Sequence, residues 1–166
     1  CYGLLHFNIY SSINEANYIE TIHGLSPDVI VSSNSLIFGR ELLEIPSRCC
    51  INRHSSLLPS YGGLWPVFQA VRSGEEFVGA SIHTMERKID RGILLAQRQV
   101  RIQGYDTVGD LYEKCFAVSV DALLDALRRI ARDDMEPLKN SYNLSYFSFP
   151  TADHWQQFRH RKRRFF

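Results

Sequence analysis

The alternation of element types between Ser12 and Asn52 constrains this chain more than any other feature. Ser12 stands three residues before Glu15, as in a capping box, and Ile13, Ala16, Tyr18, Ile19, Ile22 and Leu25 recur at roughly helical spacing until Gly24 and Pro27 close the segment. The pattern predicts a helix. Asp28 to Val31 is a short β-branched run bounded by Ser32, Ser33 and Asn34, and Cys49 to Asn52 is a second run after Pro46. Helix, strand, short connector and strand in that order are the signature of a parallel α/β sheet.

Further along, Phe77 to Met85 and Ile93 to Ile102 read as two strands joined only by Glu86 to Gly92. A parallel crossover needs a dozen or more residues, so these two are expected to pair antiparallel. A helix is predicted from Trp65 or Pro66 to the stop at Gly74, and a long one from a cap at Asp106 or Thr107 to about Arg132, with Val108, Leu111, Cys115, Val118, Ala122, Leu123, Leu127 and Ile130 on its apolar side. After Pro137 the pattern weakens into Ser, Asn, Tyr and Phe. The chain ends in a basic run from Arg159 to Arg164, read as a solvated, partly disordered end.

A length of 166 residues with 45% hydrophobic and 22% charged residues suits one compact core. We divide it into a core over 1–140 and a C-terminal extension over 141–166. The net charge of +1 gives no bulk electrostatic reason to expect nucleic acid or an anionic membrane as a partner. No stretch approaches the roughly 20 consecutive apolar residues of a membrane span, and a cytoplasmic location is the default expectation. Cys1, Cys49, Cys50 and Cys115 lack metal-ligand spacing and read as reduced, partly buried thiols.

The residues able to do chemistry gather at the end of the second strand. Residues two apart on a strand face the same side, so Asn52 and His54 look at one place while Arg53 faces away. Ligands bind at the carboxyl ends of strands in such sheets. Asp90, in the turn between the antiparallel strands, is placed to close on the same mouth. A carboxylate against a histidine is expected to raise the imidazole pKa and orient the ring for proton transfer near neutrality. His83 reads as a hydrogen-bonded strand histidine that the chemistry does not require, and Tyr61 and Trp65 as packing residues at the loop edge.

Taken together, Asn52-Arg53-His54-Ser55-Ser56-Leu57-Leu58-Pro59, the Tyr61-Gly62-Gly63 turn, Val78-Gly79-Ala80-Ser81-Ile82-His83 and Ile89-Asp90-Arg91-Gly92-Ile93-Leu94 resemble, in order and spacing, the signature of the folate-dependent formyltransferases. The match covers about residues 25 to 130. It implies a Rossmann-like fold, with a mostly parallel sheet, an antiparallel strand and flanking helices, from which a first N-terminal βαβ segment is missing. It puts Asn52, His54 and Asp90 in the catalytic places. Ser35, Leu36, Ile37 and Phe38, with Glu86, Arg87, Lys88 and Ile89, become the backbone segments around the folate pterin.

On this resemblance the cosubstrate is 10-formyltetrahydrofolate and no metal takes part. Asn52 and a protonated His54 would serve the oxyanion, with Asp90 holding His54. The acceptor is expected to be a small-molecule amine, foremost an amino-sugar nucleotide. A nucleic-acid acceptor is disfavoured because few residues follow Asp90. Glycinamide ribonucleotide as acceptor, hydrolysis of the formyl folate to formate, and folate binding without turnover stand as alternatives.

Overall fold

Four strands build the sheet that carries the site, in a computed structural model that describes residues 8–166. Two of them, β1 (Val29–Ser32) and β2 (Cys49–His54), pair in parallel. The next neighbour, β4 (Phe77–Thr84), is antiparallel both to β2 and to the outer β5 (Leu94–Arg101), giving the order β1-β2-β4-β5. Three strands therefore run one way and β4 runs against them. The nine residues between Thr84 and Leu94 are too few for a parallel crossover, so β4 and β5 pair antiparallel as expected. In chain order, the two-residue β3 (Gly62–Gly63) lies between β2 and β4.

Helix α1 (Ala16–Gly24) begins later than its sequence suggests, with Glu15 rather than Ser12 at the N-cap position and no side-chain cap. The turn before it does other work: Asn14 donates its amide to Ile37 O at 2.9 Å and accepts from Gly39 N. That two-way bond ties the backbone ahead of the short helix α2 (Arg40–Leu43) to the start of α1. Ile13, Tyr18 and Leu42 pack there with Ile30 of β1, and the Cys50 thiol points to Leu42 O on the same side of the sheet.

The opposite side is covered by α4 (Val108–Ala131), whose start is fixed by a complete capping box between Thr107 and Asp110. Its Ala122, Ala126 and Ile130 close on Ile51, Ile82, Leu95 and Ala96. A further apolar cluster joins α3 (Pro66–Ser73) to Val78, Leu111, Cys115 and Phe158. Gly74 ends α3 in the left-handed conformation that glycine adopts without a Cβ penalty. Cys50 and Cys115 are buried free thiols, and burial pushes each up to about 12; Cys1 lies outside the described residues. No helix among the described residues is long and apolar enough to cross a membrane.

The C-terminal segment departs from its sequence reading. Tyr146–Phe147 forms β6, parallel to β3, and Ala152–His160 forms α5, which packs on α3. The basic end stays largely exposed but is docked, because its aromatic neighbours anchor it: Trp155, Phe158 and Phe165 join Trp65 and Phe68 in one ring cluster. Its guanidinium groups then find backbone carbonyls, Arg161 at Ser73 O (2.9 Å) and Arg163 at Gln103 O (2.8 Å). The carbonyls of Arg164 and Phe165 accept from Val108 N and Gly109 N, the free donors of the first turn of α4.

Phe158 is only 3% exposed. Phe158→Ala should therefore lower the unfolding free energy by about 3–5 kcal/mol, as buried aromatic truncations do, in a urea titration followed by tryptophan fluorescence. A loss under about 1 kcal/mol would show that the C-terminal segment is not part of the core.

Candidate active site

Strand alternation puts Asn52 and His54 on the side of β2 away from α4, and the antiparallel register sets His83 opposite Asn52 and Ser81 opposite His54. Asp90 enters from the turn between β4 and β5. Its backbone is left-handed, with φ of 54°, a conformation few non-glycine residues adopt. Tyr61 (φ 59°) and Trp65 (φ 54°), on the loop facing it, are left-handed as well. Such strain gathers where the surrounding structure holds a site in one geometry.

The Asp90 carboxylate is the meeting point. Oδ2 accepts from Gly63 N at 2.7 Å, while Oδ1 lies 3.7 Å from His54 Nδ1 and 3.5 Å from His83 Nε2, with the side chain 7% exposed. The far nitrogen of each ring faces a backbone carbonyl: His54 Nε2 lies 3.0 Å from Tyr61 O, and His83 Nδ1 lies 2.8 Å from Thr84 O. A carbonyl only accepts, so each of those nitrogens carries a hydrogen. Asn52 Nδ2 approaches His83 Nε2 at 3.5 Å, and the buried Asn52 Oδ1 has no hydrogen-bond partner.

Burial lowers the His54 pKa below its ordinary value, and it outweighs the upward pulls of Asp90 and of the Tyr61 carbonyl. Asp90 pulls this imidazole upward as expected, but burial is the larger effect and the net direction is down. For Asp90 the balance goes the other way. Burial pushes its carboxyl up, but the hydrogen bond from His83, the His54 ring and the Gly63 N–H together hold it below the usual carboxylate range.

The structure thus brings together Asn52, His54 and Asp90, and adds His83, which sequence reasoning set aside. Only the strand register could have shown that His83 stands opposite Asn52. A cleft of about 670 Å³ opens beside Asp90, lined among others by Leu58, Pro59, Glu86, Leu138 and Asn140. Of the segments expected to hold a planar ligand, Glu86 alone reaches this cleft. Arg87, Lys88 and Ile89 are exposed on the same turn, and Ser35 to Phe38 form a partly exposed loop before α2, where Leu36 N donates to Asn34 Oδ1 at 2.8 Å. Among the described residues no three His, Cys, Asp or Glu side chains are grouped as metal ligands.

Comparison with known proteins gives a consistent picture. The formyl transferase family model matches residues 9–127. The methionyl-tRNA formyltransferase of Alkaliphilus metalliredigens is 35% identical over 136 residues, covering 78% of this chain and 43% of that protein. Among solved structures, a sugar N-formyltransferase from Shewanella sp FDAARGOS_354 superposes with a TM-score of 0.69 at 26% identity, over 82% of this chain and 54% of that one. HypX from Aquifex aeolicus, solved in complex with tetrahydrofolic acid, has the same fold at a TM-score of 0.71 and 17% identity, over 82% of this chain and 24% of HypX. The chain spans less than half the length of the curated relatives it matches.

Two outcomes follow from the geometry. With its pKa lowered from 6.5 in the folded state, His54 is protonated in the unfolded chain at a higher pH than in the folded one. Its contribution to stability is complete above pH 6.5 and declines as the pH falls toward the folded value. Thermal unfolding from pH 7 to pH 5 should accordingly show a shallower decline for His54→Asn than for the unaltered chain; equal slopes would contradict the burial argument. Separately, a Cβ at Gly92 would overlap the Thr84 carbonyl oxygen, whereas one at Gly104 meets nothing. Gly92→Ala should cost about 1–3 kcal/mol, and Gly104→Ala less than about 0.5, by denaturant titration.

Proposed function

This chain belongs to the formyl transferase family, and from that premise we propose that it transfers a formyl group from 10-formyltetrahydrofolate to a primary amine, with Asn52, His54 and Asp90 as its catalytic residues. The observation that carries the reading is the convergence of those three side chains on one buried point at the end of β2, beside an open cleft. The site also suits a carbonyl-bearing ligand in one specific respect: the Asn52 amide is buried there with hydrogen-bonding capacity unfilled. Ser35 to Phe38 and Glu86 to Ile89 would hold the folate. Residues 1–140 would form the catalytic core, and residues 141–166 an extension that braces the Tyr61 to Leu64 loop.

The bound formyl folate supplies an amide-like carbon that an uncharged amine attacks directly, so positioning, oxyanion stabilisation and proton transfer are left to the protein. Asn52 donates its NH₂ to the oxygen on which charge develops. His54 is suited to accept the proton of the attacking amine, because its lowered pKa leaves it neutral and its hydrogen is already committed to Tyr61 O. The free Nδ1 takes that proton, and the imidazolium so formed has the Asp90 carboxylate 3.7 Å away to stabilise it. Passing the proton on to the departing folate nitrogen completes the exchange, with one N–C bond made and one broken. His54 here works as a proton acceptor before it is a cation.

For the acceptor we propose an amino-sugar nucleotide, supported by the likeness to the Shewanella sugar N-formyltransferase. A second reading, the aminoacyl end of a tRNA, is favoured by the 35% identity with a methionyl-tRNA formyltransferase.

The decisive assay supplies 10-formyltetrahydrofolate alone, with an amino-sugar nucleotide, with glycinamide ribonucleotide, and with methionyl-tRNA, and follows folate release together with the mass of the amine. Release that waits for an amine and adds a formyl group to it is expected. Release without any amine would mean hydrolysis, and none in any mixture would refute catalysis. In the active mixture Asn52→Ala and His54→Ala should each lower kcat at least about 100-fold while circular dichroism stays unchanged, the loss typical of a missing oxyanion donor or proton acceptor. Near-normal turnover in either would remove that residue from the mechanism.

A further inference from the structure

His83 is 2% exposed, and its ring faces Asn52 and His54 of β2 and Asp90 of the turn. Its Nδ1 is committed to Thr84 O. That carbonyl cannot turn away, because Thr84 is pinned on both sides: its N–H donates to Ile93 O at 2.9 Å and its hydroxyl accepts from Ile93 N at 2.7 Å. Only Nε2 is left to interact, and it lies 3.5 Å from Asp90 Oδ1 and 3.5 Å from Asn52 Nδ2. The groups facing the ring are thus Asn52 and His54 from β2 and Asp90 from the turn, the two imidazoles meeting edge to face at 6.5 Å.

Consider what Nε2 can carry. With a bare lone pair it confronts the lone pairs of a buried carboxylate, and it draws the Asn52 NH₂ inward, stranding Oδ1 without a partner. A buried carbonyl left unpaired costs on the order of 1–3 kcal/mol. A hydrogen on Nε2, which together with the one on Nδ1 makes the ring an imidazolium facing the Asp90 anion, removes both defects. It is a donor toward Asp90 Oδ1, consistent with a hydrogen bond from His83 being among the effects that lower the carboxylate pKa. The same N–H can also serve Asn52 Oδ1 once the amide turns over, an exchange of two groups nearly equal in shape.

We propose that His83 is the positioning residue of this site: a hydrogen on its Nε2, shared with Asp90 Oδ1, holds the Asn52 amide with Oδ1 toward the ring and the NH₂ turned away from it. The identity of what the NH₂ meets, the formyl oxygen, rests on the formyl-transfer reading; the ring and amide arrangement does not. The two histidines then divide the work. His54 handles the proton that moves, and His83 keeps one that stays.

The arrangement is tested on the full 166-residue chain without ligand, by nitrogen NMR of ¹⁵N-histidine-labelled protein at pH 7. His83 should show a bonded hydrogen at both ring nitrogens, and Asp90→Asn should remove the one on Nε2; an Nε2 without hydrogen in the unaltered chain overturns the proposal. Kinetics add a readout that a packing role would not give. With 10-formyltetrahydrofolate and the amine that supports turnover, His83→Leu should lower kcat about 100-fold with KM for the folate within about twofold, while His83→Gln, whose amide can still donate to Asn52 Oδ1, should recover about tenfold of that loss. Equal losses in the two variants would reduce His83 to a core residue and sink the idea. A hydrogen-bearing His83 Nε2 in a chain that formylates nothing would refute the formyl-transfer reading and leave this arrangement standing; transfer with a bare Nε2 would do the reverse.

Discussion

One buried carboxylate organises the site. Asp90 can reach it only because the turn after β4 takes a left-handed residue there and closes through Gly92 against the Thr84 carbonyl. The anion is tolerated in the interior because the Gly63 N–H donates to it at 2.7 Å and His83 Nε2 lies at 3.5 Å, while His54 Nδ1, at 3.7 Å, becomes a donor once it takes a proton. Remove the carboxylate and the two rings lose the group that both face. The β2–β4 register, the Gly62–Gly63 strand and the turn are therefore interdependent, each placing one side of the same small volume.

Much of this was legible in the sequence. The antiparallel pairing of β4 and β5 followed from a connection too short to cross over, and the α4 start was narrowed to Asp106 or Thr107, of which the structure selects Thr107. Asn52 and His54 share a side because strand alternation has a period of two. The features that escaped share a different property: their reasons are long-range. Ser12 and Glu15 carry a local cap signal, but Asn14 is drawn to the backbone of residues 37–39, and the helix starts three residues on. His83 looked like an ordinary strand histidine until register put it opposite Asn52. The direction of the His54 pKa escaped as well, since sequence shows the neighbouring carboxylate but not the burial that outweighs it.

Helix α5 and the docked tail were missed for the same kind of reason. Arg159 to Arg164 look like a loose end when charge alone is read, yet the flanking Trp155, Phe158 and Phe165 supply the anchor and backbone carbonyls receive guanidinium groups. Long basic side chains can follow apolar surface and still keep their charged ends satisfied. Here the partners are carbonyls of Arg72, Ser73, Gln103 and Tyr105, groups that a helix end or a turn leaves free.

That docking bears on the chemistry, because the C-terminal segment holds the loop that orients His54. Tyr61 N donates to Ser145 Oγ, Gly62 N to Ser145 O and Leu64 N to Phe147 O, while the Tyr61 ring stacks on Phe147 at 5.7 Å. Gly63 permits the approach, since a Cβ there would overlap the Phe147 carbonyl, and its φ of 91° suits no other residue well. The Tyr61 carbonyl is thereby fixed, and it is this carbonyl that decides which nitrogen of His54 bears the hydrogen. A strand of two residues near the end of the chain thus reaches, through one backbone oxygen, the tautomer of the imidazole at the centre of the site.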